Sequence, residues 1–185
     1  MDTTKINKRE TMPNWFFHLM TFLMKVRDVF GYTRNNFKTL EIKNGQTVID
    51  YGCGPARYVH LVSEAIGTNG KLYATDIHQL AVDKVKEVIQ TRKLNNVEAV
   101  LSHSYTCPLP MHTADIILAL DMFHMIEDTD ALQGEFARLL KSEGTVIIED
   151  GHQSRKSTIK KIKQAGIFNI VQENIKHVRC QKMNP

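Results

Sequence analysis

Three of the 185 residues are cysteine, Cys53, Cys107 and Cys180. An odd number with no C-x-x-C pair excludes a disulfide scaffold and a structural zinc knuckle, and predicts free thiols in a reducing compartment, with the cytoplasm as the default location. Charge of one sign is scarce as well: 24 Lys and Arg stand against 20 Asp and Glu, so net charge alone does not mark a nucleic-acid binder. No apolar run is long enough to span a bilayer, since the N-terminal one is interrupted by His18 and Thr21 and followed by Lys25, and it lacks the small-residue cleavage site of a secretory signal. No G-x-x-x-x-G-K-[ST] is present, which removes a P-loop. The sixth position counted from Gly52 is Arg57, too large for the third glycine of a dinucleotide fingerprint. The length leaves room for one domain over residues 1–185, with 1–32 as an N-terminal tail and cap helix and no separate substrate domain.

What is present is the run Val48-Ile49-Asp50-Tyr51-Gly52-Cys53-Gly54-Pro55-Ala56. Two β-branched residues and an acid lead into alternating glycines, the pattern of a buried strand that ends in a tight turn and offers bare backbone to a ligand. Val59, Val62 and Ile66 then recur at helical spacing, so the turn feeds a helix over Arg57 to Ile66. A second strand, Lys71 to Asp76, ends in an acid 26 positions beyond Asp50, near the offset at which a carboxylate reaches the two hydroxyls of a ribose.

The remaining chain alternates in the same way. Helix Gln79 to Leu94, strand Val97 to Leu101, the almost wholly apolar strand Asp115 to Leu120, helix Leu132 to Leu140 and strand Thr145 to Asp150 follow, with Lys141 to Gly144 read as a turn. That order predicts an α/β, doubly wound, mostly parallel sheet. Upstream, Pro13 and Asn14 open a helix to about Phe30, followed by a short helix from Thr33 to Leu40 with Thr33 as its cap; residues 1–11 read as a disordered tail. Trp15, Phe16, Phe17, Phe22 and Met24 spread apolar surface beyond one face of the first helix. It either packs wholly on the sheet or caps the ligand cleft.

The run D-x-G-x-G-x-A, Asp50 to Ala56, resembles the first motif of the class I S-adenosylmethionine-dependent methyltransferases, in which the last position is usually Gly. The likeness covers roughly residues 35 to 183, with the glycine loop as its specific part. It implies a seven-stranded Rossmann-like sheet of order 3-2-1-4-5-7-6 with the last strand antiparallel, and S-adenosylmethionine as cofactor. That ligand has no phosphate and carries an ammonium and a sulfonium, so an acid ahead of the glycines fits it where a pyrophosphate would be repelled. The implied cofactor contacts are Asp50, Gly52, Cys53 and Gly54 in the loop, Asp76 on the ribose, Ile77 on the adenine ring, and Ser104 and Leu120 beyond the later strands. His103 falls where the family commonly places an acid at the adenine edge; it either accepts there through a neutral ring nitrogen or points to solvent.

Methyl transfer from a sulfonium is an in-line displacement and needs a base only where the acceptor carries a proton. The residues at the carboxyl ends of the fourth and fifth strands, Asp121, His124, Asp150 and His152, are the ones to examine. His124 leads as a base, with Asp121 and His152 as further catalytic candidates; a structural histidine is the alternative. No metal site is expected, because His103, His112, His124 and His152 carry no ligand spacing. Two classes of acceptor stay open. One is a small or medium-sized, apolar molecule under the N-terminal helix. The other is a nucleic acid or protein met by the basic C-terminal residues, or a binding module without catalysis. No aromatics interleave with those charges, so a solvated face is the better reading.

Overall fold

The computed structural model describes residues 13–29 and 31–183. The tail 1–11 and Phe30, where the first helix was expected to end, lie outside them. Helix α1, Asn14–Val29, follows Pro13 and is succeeded by α2, Tyr32–Phe37, and a 3-10 turn, Lys38–Leu40. The sheet then begins with β1, Thr47–Tyr51, and continues through α3 (Val59–Ile66), β2 (Lys71–Asp76), α4 (Gln79–Arg92), β3 (Val97–Leu101), β4 (Ala114–Ala119), α5 (Thr129–Leu139), β5 (Leu140–Glu149), α6 (Arg155–Ala165), β6 (Phe168–Glu173) and β7 (His177–Lys182).

The seven strands form one sheet in the order β3-β2-β1-β4-β5-β7-β6. β1 pairs in parallel with β2 and β4, and β4 in parallel with β5, whereas β7 runs antiparallel to both its neighbours. The order reverses between β1 and β4, so the carboxyl ends of β1, β2 and β4 open onto the crevice where ligands bind in such sheets. Each face carries its own core. α3 and α4 bring Val59, Val62, Ile66 and Val85 onto Val48, Leu72 and Leu118. α5 and α6 bring Leu132, Phe136, Leu139 and Ile162 onto Ile49, Ile117 and Ile148. Each fully buried side chain of this size contributes about 1.5–3 kcal/mol.

Several boundaries differ from expectation for local reasons. α3 starts at Val59, after the left-handed Ala56, and α5 starts at Thr129, where Asp128 Oδ1 accepts from the amide of Ala131 at 2.9 Å. Thr33 does not cap α2: Gly31 stands at that position, and Thr33 is buried with its hydroxyl on Asp28. β5 takes in residues 141–144, read as a turn, because a register shift between Ala114 and Ile116 lets Leu140 pair with Ala114.

Candidate functional site

The glycine turn is held from behind by β2. The amides of Gly52 and Cys53 both donate to the carbonyl of Thr75, at 2.8 and 3.0 Å, which aims the rest of the turn over the strand ends. Asp76 then fixes two loops at once, accepting from Gly54 N at 2.9 Å through Oδ2 and from His78 N at 2.8 Å through Oδ1. Gly54 has a φ of 49°, and a Cβ there would meet nothing within 4 Å, so its bare side faces open space. Ala56, standing where the family motif usually has Gly, is also left-handed, with a φ of 61°.

These elements line a cavity that opens to solvent. Its lining combines Asp50, Gly52, Cys53, Gly54, Asp76, Ile77, Ser102, Ser104, Leu120 and Asp121 with Phe17, Met20 and Met24 of α1 and with Met122, Met125 and Ile126, and Met122 packs directly against Gly52. Two buried polar atoms in that lining, Asp50 Oδ2 and Ser104 Oγ, have no hydrogen-bond partner among the described residues. Burial first, and the neighbouring Asp76 second, push the Asp50 carboxyl up to about 7. Burial also raises Asp76, against the lowering effect of the two amides it accepts from. An acidic, desolvated pair of carboxyls facing a cavity accepts a cationic group, and a neighbouring hydroxyl without a partner accepts or donates one more bond. The residues present therefore fit the ammonium, ribose and adenine of S-adenosylmethionine.

Of the residues singled out in the sequence, Asp50, Gly52, Cys53, Gly54, Asp76, Ile77, Ser104, Leu120 and Asp121 come together here. His103 does not join them. Its amide and carbonyl exchange bonds with Thr106, at 3.1 and 3.0 Å, closing a tight turn in which Ser104 takes a φ of 54°. That geometry turns Ser104 and Tyr105 to the cavity and leaves the His103 side chain exposed. Trp15, Phe16 and Phe22 likewise sit on the outer side of α1 and are exposed. Cys53 is buried, and its thiol is raised well above its ordinary value by desolvation and by Asp76 and Asp50, which removes it as a nucleophile.

His124 and His152 lie outside the lining but beside Asp121. Their rings meet edge to face with centroids 5.0 Å apart, and a donor atom of each lies within 4.8 Å of the others and of the Asp121 carboxylate. Burial lowers His124, opposed by Asp121 and reinforced by His152 and Lys161. Asp150 is engaged elsewhere, on the guanidinium of Arg155. The sequence did not single out Ser102, Tyr105, Met122 or Met125; their signal was position, since each stands shortly after a strand that ends at the crevice. The basic C-terminal residues are partly used internally: Arg155 on Asp150 and Glu173, Arg179 on the carbonyl of Leu40, Lys182 on that of Leu140, and Lys176 over the ring of Tyr32.

A family model described as a methyltransferase domain matches residues 42–183. Among curated proteins, the chain is similar to demethylmenaquinone methyltransferases. That of Geobacillus sp. (strain WCH70) is 22% identical over 128 residues, 69% of this chain and 55% of the relative. That of Oceanobacillus iheyensis is 23% identical over 117 residues, 63% and 49%. The chain thus spans about half the length of the curated relatives it matches. Among solved structures, an S-adenosylmethionine-dependent methyltransferase of Aquifex aeolicus superposes with a TM-score of 0.69 at 25% identity, covering 82% of this chain and 89% of that one. One from Methanococcus maripaludis superposes with a TM-score of 0.77 at 16% identity over 100% and 99% of the two chains, and shows the fold alone. With the matched segment running from before the glycine turn to the last strand, and with strand order and loop geometry in agreement, the chain belongs to the methyltransferase-domain family, of the class I S-adenosylmethionine-dependent kind.

Proposed function

We propose that the protein transfers a methyl group from S-adenosylmethionine to a small or medium-sized apolar acceptor held between Asp121 and helix α1. The observation that carries this reading is the mixed lining of one cavity, in which the unpartnered Asp50 Oδ2 and Ser104 Oγ occur together with the apolar side chains of Phe17, Met20, Met24, Met122 and Met125. Bound S-adenosylmethionine supplies an electrophilic methyl group. Asp50 and Asp76 hold its cationic and ribose portions, Ile77 and Ser104 its base, and Leu120 flanks it. The α1 side chains exclude water from the reacting centre and align the acceptor, and alignment of that kind supplies up to about 7–11 kcal/mol of barrier lowering. Methionine suits this role because it adapts to irregular apolar ligands. Asp121, which lines the cavity, is the nearest candidate to take a proton from an acceptor hydroxyl, with His124 and His152 behind it. The curated relatives are named for demethylmenaquinone, and an apolar acceptor of that general character fits the apolar side chains of α1.

Calorimetry with S-adenosylmethionine and with NAD tests the cofactor, and incubation with methyl-labelled cofactor and a panel of apolar phenols and quinols tests the acceptor. Binding of the first cofactor alone and label in an apolar product are the expected results. NAD binding without S-adenosylmethionine binding, or label entering only RNA or protein, would overturn the reading.

A further inference from the structure

We propose that Asp121, His124 and His152 form a binding site for a single divalent transition-metal ion of the zinc type at the wall of the cavity. The three side chains come from the two loops that follow the neighbouring parallel strands β4 and β5, so the sheet itself brings them together. One donor atom of each lies within 4.8 Å of the others. An ion about 2.0–2.2 Å from each donor in tetrahedral geometry holds the donors roughly 3.3–3.6 Å apart, so side-chain rotations that draw the three inward by up to about 1 Å complete the site. Two imidazoles and one carboxylate form a donor set that zinc and its neighbours in the first transition row accept, with coordination positions left for an outside ligand.

Three further observations are independent of the distances. His124 Nδ1 is buried and has no hydrogen-bond partner among the described residues, a costly state for a ring nitrogen that nothing ligates. Asp121 sits in the left-handed region with a φ of 56°, which a non-glycine residue adopts only at a cost. Gly151, with a φ of 62°, leaves room for the His124 ring that a Cβ would occupy, so the loop after β5 is shaped around that imidazole. The neighbouring charges are committed elsewhere: Lys161 to the carbonyls of Phe123 and Ile126, Asp150 to Arg155. Since Asp121 also lines the cavity, an ion on it lies within reach of an acceptor oxygen and would polarise it. That role rests on the methyl-transfer reading; the site itself does not.

The test is titration of the chelator-treated full chain with Co²⁺, followed by the visible absorption of the bound ion and by displacement with Zn²⁺. One equivalent should bind, and His124→Ala and His152→Ala should each weaken it by more than about 100-fold, beyond the loss seen when only an outer partner of a ligand is removed. His112→Ala, away from the cluster, should leave it unchanged. S-adenosylmethionine affinity of the same variants reports their folding, and its absence from the wild type would sink the methyl-transfer reading without touching the ion site. No Co²⁺ spectrum at millimolar metal, or a spectrum that survives the double histidine variant, would overturn the proposal and leave the three residues as a metal-free proton relay.

Discussion

Arg57 donates Nε and Nη2 to the two carboxylate oxygens of Asp28, at 2.9 and 2.7 Å, and so ties the loop after the glycine turn to the end of α1. The same guanidinium donates to Thr33 Oγ1 at 2.6 Å. At the other end of α1, Phe17 stacks on His78, two residues beyond Asp76, with ring centroids 4.9 Å apart. The helix is thus fastened to the segments that follow both cofactor motifs. Asp28→Ala leaves Arg57, whose side chain is 10% exposed, without its carboxylate. The expected loss lies between that of a surface pair and a buried one, about 2 kcal/mol, read as a lower urea midpoint at unchanged slope. An unchanged midpoint would show that the pair merely decorates the surface.

Asp50 makes the free protein sensitive to pH with a definite sign. Its folded-state value of about 7 lies above the unfolded one, so between the ordinary carboxylate range and pH 7 the folded state holds the extra proton. Stability is therefore highest at the acid side of that window and declines as pH rises through it, by at most about 4 kcal/mol from this group. Asp50→Asn should flatten that part of the profile. An ammonium ligand favours the ionised carboxyl, so cofactor affinity should rise with pH through about 7 and binding should release a proton, visible as a calorimetric heat that changes with the buffer. Equal heats in phosphate and Tris would contradict this.

Ser104, not His103, should matter at the base end of the cofactor. Ser104→Ala removes the unpartnered hydroxyl and should weaken S-adenosylmethionine binding by roughly fivefold, the value of one ordinary hydrogen bond. His103→Ala should leave affinity within about twofold, that ordinary bond being absent from its exposed side chain. The reverse ranking in a binding titration would place the imidazole in the cavity.

Met24→Trp adds bulk where α1 lines the cavity. Cofactor affinity should hold within a few-fold, and KM for the larger apolar acceptors should rise by roughly tenfold or more, as lost uniform binding does. A fall in cofactor affinity with acceptor KM unchanged would mean that α1 contacts the cofactor and not the acceptor.

The glycine turn and its place at the crevice were legible because their signals are local. A glycine turn after a β-branched strand and an acid at the next strand end are both short-range patterns, and the parallel order follows from helices alternating with strands. The placement of His103 was not legible, since it depends on a four-residue turn closed by Thr106 and on a left-handed serine, neither of which carries a glycine or proline to announce it. Nor was the closeness of His124 to His152 readable from spacing, for it arises where two loops leave adjacent strands. The outer face of α1 was legible as excess apolar surface, yet which residues faced inward required the contacts of Phe17, Met20 and Met24.

The three buried cysteines turn the molecule into its own reporter of local opening. Cys53 stands in the glycine turn, Cys107 in the connection between β3 and β4 against Thr75, and Cys180 in the antiparallel half of the sheet. Burial raises all three thiols, so a thiolate-seeking reagent reaches each only when its own surroundings open. Under native conditions the labelling rate of each cysteine then reads the opening free energy of one region, and a saturating cofactor should slow Cys53 far more than Cys180.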